Sequence, residues 1–153
     1  MKEVEVAFDV RPSASDLHAK LTPRSMLEYA ERYEVNSVEP TADGWEASIT
    51  FDQADLVLSI VEIDDGYQYS VVDGGGMFEY RTTTIVIEEN DETTVRMKTR
   101  YTFDSIWSFA LDRLAAGSTR AELETTILNL VEDAFDGDLE ALAEEASEPN
   151  DSD

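Results

Sequence analysis

Apolar and polar residues alternate from the start of the chain. Val4, Val6, Phe8 and Val10 share one parity, and Glu3, Glu5, Ala7 and Asp9 share the other. That is the period of a strand buried on one face. Pro12 and Ser13 close it. Ser13 with Asp16 three residues on is a helix-start signal, so Asp16 to Leu21 is expected to form a short helix presenting Leu17 and Leu21. Thr22-Pro23 repeats the signal, because threonine caps well and proline suits a first helical turn. A second short helix is expected from Pro23 to about Glu31, burying Met26, Leu27 and Ala30.

Period two returns at Tyr33. One strand runs to Glu39, a turn spans Pro40 to Gly44, and then Trp45, Ala47, Ile49 and Phe51 alternate with Glu46, Ser48, Thr50 and Asp52. A tight connection at Gln53-Ala54 would set Phe51 opposite Leu56 and Ile49 opposite Leu58, with Ile60 continuing the apolar face. The next strand, Tyr67 to Asp73, follows Asp64-Asp65-Gly66. Gly74-Gly75-Gly76 then joins two strands. Without a following helix it lacks the dipole of a phosphate loop, so it reads as a bulge, a wide connector or a gate over a cavity mouth. Met77 to Glu89 forms a long strand, and Asn90-Asp91 turns it into the last one, where Val95, Met97, Thr99, Tyr101 and Phe103 face inward and Arg96, Lys98 and Arg100 outward. Connections this short require antiparallel neighbours.

The register of the long strand has two readings. A two-residue turn at Asn90-Asp91 brings Tyr80, Thr82, Thr84 and Val86 inward beside Tyr101, Thr99, Met97 and Val95; a slip of one residue brings Glu79, Arg81, Thr83, Ile85 and Ile87 inward instead. Tyr80 opposite Tyr101 makes a good cross-strand pair and favours the first. Ile85 and Ile87 favour the second.

Beyond Asp104 the period becomes helical. Ile106, Trp107, Phe109, Ala110, Leu111 and Leu114 lead to Gly117, a kink or a break, and Ala121, Leu123, Ile127, Leu128, Leu130, Val131 and Phe135 mark a strong amphipathic helix. Its start falls at Ser118 or Thr119, with Glu122 placed for a capping box. Residues 1–137 are therefore expected to be one domain, and 138–153 an acidic disordered tail.

A strand, two short helices, six antiparallel strands and a long closing helix make an α+β pattern of about seven strands, β-α-α-β6-α. The order resembles the helix-grip fold of the SRPBCC superfamily, which includes START, polyketide cyclase and Bet v 1-like proteins. The stretches that carry the resemblance are Val6-Ala7-Phe8-Asp9-Val10-Arg11-Pro12-Ser13-Ala14-Ser15-Asp16-Leu17 at the start and Arg120-Ala121-Glu122-Leu123-Glu124-Thr125-Thr126-Ile127-Leu128-Asn129-Leu130-Val131-Glu132 at the close. The resemblance implies a curved antiparallel sheet wrapped around the C-terminal helix, with a cavity between them for an apolar or aromatic small molecule. A minority of such proteins catalyse reactions there. The chain departs near the second short helix, where Leu27-Glu28-Tyr29 and Tyr33 stand in place of a common Trp or Tyr pair. The cavity residues implied are Trp45, Ile49, Phe51 and Leu58; Tyr80, Thr82, Met97, Thr99 and Tyr101; and Ile127 and Val131 on the helix.

Charge adds a condition. The 153 residues carry 35 acids against 11 bases, a formal charge of −24, and the carboxylates are spread along the whole chain. Such a molecule repels itself unless salt shortens the reach of its field, which suggests an extreme halophile as its source. The same field argues against nucleic acid as a partner, since backbone binding depends on clustered Lys and Arg. No apolar run reaches the roughly 20 residues of a membrane span, and Met1-Lys2-Glu3-Val4-Glu5 begins no signal peptide, so a soluble, cytoplasmic protein is expected.

Candidate chemistry is sparse. There is no cysteine, so disulfides, thiol nucleophiles and Cys-ligated zinc are ruled out. His18 is the one histidine and reads as a solvent-facing helix residue, although it could serve as a general base. No cofactor is expected, and no metal site either; any ion would have to be held by oxygen ligands. Asp133 to Asp138 has neither the glycine position nor the closing Glu of a calcium loop. Three functions fit: carriage of a small hydrophobic or aromatic molecule, a cyclase- or dehydratase-like enzyme using Tyr80, Tyr101, Glu79 or Arg81, and a co-chaperone-like interaction module.

Overall fold

A computed structural model describes residues 2–51, 54–73, 78–103 and 117–135. Seven strands form one antiparallel curved sheet: β1 (Lys2–Val10), β2 (Glu34–Pro40), β3 (Trp45–Phe51), β4 (Ala54–Ile63), β5 (Gly66–Asp73), β6 (Phe78–Glu89) and β7 (Thr93–Phe103). Their order across the sheet is β1-β7-β6-β5-β4-β3-β2, so every neighbour but β1 is joined in sequence to the next by a short connection. β1 returns to the far edge beside β7, with Val4, Val6 and Phe8 opposite Thr99, Met97 and Val95.

Between β1 and β2 lie α1 (Ala14–Lys20) and α2 (Pro23–Glu28). The Ser13 hydroxyl accepts from the Asp16 amide, so α1 opens two residues earlier than the apolar spacing suggests. Thr22 and Ser25 form a reciprocal capping box at α2, which satisfies two amides left over at the helix start. α2 stops at Glu28 instead of about Glu31, because Glu31 takes a positive φ of 55° and turns the chain toward β2. Gly66 opens β5 against β6, where an added Cβ would lie 1.8 Å from the Ile85 carbonyl oxygen; only glycine lets the strands approach there.

The last helix, α3, covers 117–135 of the described residues. Its Leu123, Ile127, Leu130 and Ala134 belong to the same buried cluster as Val6, Ile49, Leu58, Ile60, Ile85 and Met97 of the sheet and Leu17, Met26 and Leu27 of the short helices. α2 is tied to it by side chains: Tyr29 donates to Asp133, and the Asn129 amide donates to the Tyr29 carbonyl at 2.8 Å and to Glu31 at 2.9 Å.

Two registers differ from the expectation. The β3–β4 connection pairs Phe51 with Ala54, Ile49 with Leu56 and Ala47 with Leu58, a shift of two residues that leaves the apolar face unchanged. The second difference changes the interior. Glu89 pairs with Thr93, so the β6–β7 connection has three residues, closed by the Asn90 amide donating to the Glu92 carbonyl at 3.0 Å. One extra loop residue slips the pairing by one, and Arg81, Thr83, Ile85 and Ile87 stand opposite Tyr101, Thr99, Met97 and Val95. Tyr80 and Thr82 are therefore not on the inner face: Tyr80 is 41% exposed and Thr82 bonds Ser70 from the outer side.

Gly74-Gly75-Gly76, the apolar run from Ile106 to Leu114 and the tail 138–153 lie outside the described residues.

Candidate functional site: a buried arginine–glutamate–tyrosine cluster

Strand β6 places Arg81 on the inner face, where it is 8% exposed, and α3 lowers Glu122, 3% exposed, onto it. The Arg81 guanidinium donates to both Glu122 oxygens from one nitrogen, at 3.0 and 3.1 Å. Tyr33, from the segment between α2 and β2, completes the group: its hydroxyl donates to Glu122 at 2.7 Å and accepts from the other Arg81 nitrogen at 3.2 Å. Tyr33 is held edge-on against Phe51, with ring centres 5.8 Å apart. A fourth group approaches from outside, the Arg32 guanidinium, 3.9 Å from Glu122.

Glu122 does not cap its helix. Helix already runs at 117, and the Glu122 side chain turns into the core, while its backbone carbonyl accepts from the Thr126 hydroxyl at 2.8 Å. One step along the ladder from Arg81, the Thr83 and Thr99 hydroxyls bond each other at 2.7 Å, both fully buried. Among the described residues, every buried side-chain nitrogen and oxygen has a partner.

Burial dominates the electrostatics. It pushes the Tyr33 hydroxyl well above its ordinary range against the pull of Arg81, and it raises Tyr69 in the same way, with the Glu122 charge adding to the effect. Both tyrosines are neutral hydroxyls at any physiological pH. For Arg81 burial works against the cation, but Tyr33 and Glu122 outweigh it, and the guanidinium stays charged.

The inner wall is graded in polarity. Along the β6–β7 ladder the facing pairs run Arg81–Tyr101, Thr83–Thr99, Ile85–Met97 and Ile87–Val95. α3 repeats the gradient, with Thr119, Glu122 and Thr126 buried early and Ile127, Leu130 and Ala134 later, although Leu123 sits at the polar end.

No family model and no curated protein matches the chain. Solved structures do. Norcoclaurine synthase of Thalictrum flavum is 13% identical with a TM-score of 0.66, the match covering 90% of this chain and 96% of that one. Ara h 8.0201 is 11% identical with a TM-score of 0.57, over 86% and 98% of the two chains. The di-domain ARO/CYC BexL of the BE-7585A biosynthetic pathway is 16% identical with a TM-score of 0.58, over 88% of this chain and 49% of that one. The fold is the Bet v 1-like helix grip.

Within the helix grip, Ile49, Leu58, Met97, Thr99, Tyr101 and Ile127 are buried, and Trp45, Phe51 and Val131 are half-buried against the same cluster. Tyr80 and Thr82 drop out with the register, and Arg81 and Thr83 take their places. Sequence reasoning placed Arg81 inside only in the second register and missed Glu122 and Tyr33 as its partners. The available signal was Glu122 standing four residues before Thr126 and eight before Leu130, on the buried side of an amphipathic helix. His18 is exposed on α1. No group of three potential metal ligands comes together among the described residues, and no described helix is long and apolar enough to cross a membrane.

Proposed function

We propose that this protein carries a small apolar or aromatic molecule between the inner face of the sheet and α3, in a salt-rich cytoplasm. The observation behind this reading is the graded interior, an arginine, a glutamate and several hydroxyls at one end of an otherwise aliphatic core. Buried ion pairs are expensive to desolvate and are often replaced by apolar residues with no loss of stability. A few convergent polar groups on an apolar wall are what a binding site uses to orient a ligand, while apolar burial at about 25 cal/mol per Å² supplies affinity. The test is native mass spectrometry of protein purified in high salt, joined to a titration with the neutral apolar fluorophore N-phenyl-1-naphthylamine. A co-purifying small molecule, or saturable one-to-one fluorophore binding, supports carriage. No bound mass and no saturable binding would refute it.

One observation favours a second reading, catalysis of the cyclase or dehydratase kind. Tyr33, Arg81 and Glu122 converge within 3.2 Å of one another, so a hydroxyl, a carboxylate and a fixed cation meet at one point. There Glu122 could take a proton through Tyr33 while Arg81 stabilised a developing oxyanion. Should turnover of an identified ligand be found, Glu122→Gln is expected to abolish it and leave ligand still bound.

A further inference from the structure

Beside the polar end of the interior, Glu122 also borders the surface. A groove of about 240 Å³ lies between the α2–β2 junction and the first turns of α3, lined by Ala30, Glu31, Arg32, Ala121, Glu122 and Thr125. Glu122 therefore faces two ways: its carboxylate lies in the groove lining and is held from behind by Arg81 and Tyr33. Two alanines among the lining residues keep the space free of bulk.

Arg32 is the charged group over this opening. Its side chain is 32% exposed and its guanidinium 3.9 Å from Glu122, close enough for attraction and too far for a hydrogen bond. Among the described residues it makes no side-chain hydrogen bond, so its fork of donors faces the groove unused. The Glu122 charge is meanwhile matched by two short bonds from Arg81. Glu31, the other carboxylate of the groove, is drawn away to Asn129 at 2.9 Å. The backbone that presents Arg32 is fixed: Glu31 holds a positive φ, which a non-glycine residue adopts at some cost, and Asn129 pins both the Tyr29 carbonyl and the Glu31 side chain to α3.

We infer that this groove is the mouth of the ligand space and that Arg32 is its head-group site, selecting amphiphiles that carry one carboxylate. The inference rests on the carriage reading above and deepens it. The apolar body lies along Ile85, Met97 and Ile127, and the carboxylate takes the open fork of Arg32, whose geometry matches two carboxylate oxygens. A chain of charge −24 repels an anion on the whole, so a placed guanidinium is what admits one.

The experiment is competition of bound N-phenyl-1-naphthylamine by decanoate and by decanol, at one fixed high salt concentration. The quantity read is the ratio of their dissociation constants. The wild type is expected to prefer decanoate about tenfold, roughly 1.4 kcal/mol. Arg32→Gln is expected to bring the ratio near one. Arg24→Gln, which removes a cation of α2 that pairs with Glu28 and does not line the groove, is expected to leave it at its wild-type value. Melting curves of both variants confirm that they are folded. Equal affinity of the wild type for the two competitors, or a preference that survives Arg32→Gln, overturns the head-group site while carriage stands. Failure of the fluorophore itself to bind ends both.

Discussion

At the scale of single residues, the buried Arg81–Glu122 pair makes a prediction that separates structure from function. Arg81→Met leaves the Glu122 carboxylate buried without its main partner, which costs roughly 3–5 kcal/mol. Adding Glu122→Leu removes the stranded charge, and most of that loss is expected to return. Chemical denaturation at constant high salt measures both. A double variant as stable as the wild type but unable to bind N-phenyl-1-naphthylamine would mark the pair as functional; one that stays as destabilised as Arg81→Met would mark it as part of the fold's support. The tyrosines make a second prediction. Burial raises Tyr29, Tyr33, Tyr67 and Tyr69 above the usual value near 10, so the folded chain keeps protons that the unfolded chain releases. Their contribution is complete below pH about 10 and is lost as the pH climbs further, because the unfolded state then binds fewer protons. Tyrosinate absorbance near 295 nm from these four should consequently appear late and coincide with unfolding; their early, gradual titration in folded protein would contradict it.

At the scale of elements, the β6–β7 connection decides what the interior contains. Deleting Asp91 would leave a two-residue turn and slip the pairing back by one, setting Tyr80, Thr82 and Thr84 inward and turning Arg81, Ile85 and Ile87 to solvent. Loss of cooperative unfolding is the expected outcome, whereas a deletion variant with a normal melting transition would show that the loop does not set the register. The same connection shows where the sequence was legible. Clean alternation in Glu3–Val10 and Trp45–Phe51 showed which faces are buried, and Ser13, Thr22 and Pro23 marked both short helices, because these signals depend on neighbours in the chain. Register depends on turn length, and Asn90-Asp91 reads as a two-residue turn while Glu92 in fact belongs to the loop. The β3–β4 slip of two residues did no harm, since side-chain parity survives an even shift. Glu122 was mistaken for a capping residue because its partners lie 41 and 89 residues away, beyond any local pattern.

At the scale of the whole molecule, two electrostatic effects of opposite sign compete, and salt tells which is larger. The outer face of β7 carries close pairs: Arg96 with Glu88 at 2.9 Å and Glu5 at 3.5 Å, Lys98 with Glu5 at 3.7 Å, and Arg100 with Glu3 at 2.8 Å. Exposed pairs of this kind contribute little each, a median of about 0–1 kcal/mol, and salt weakens them further. Against them stands repulsion among 35 carboxylates offset by only 11 cations. Raising the ionic strength from about 0.1 to 1 M shortens the screening length from roughly 10 to 3 Å, which removes long-range repulsion and weakens contacts at hydrogen-bond distance much less. Repulsion is therefore the term that salt relieves, and the denaturation midpoint is expected to rise steeply over that interval in potassium chloride and level off above it. Levelling identifies screening, since strengthened apolar burial, as sulfate or sucrose would produce, keeps growing with concentration. A midpoint that falls as chloride is added would mean that the β7 pairs outweigh the repulsion, and the case for a salt-rich cytoplasm would fall with it.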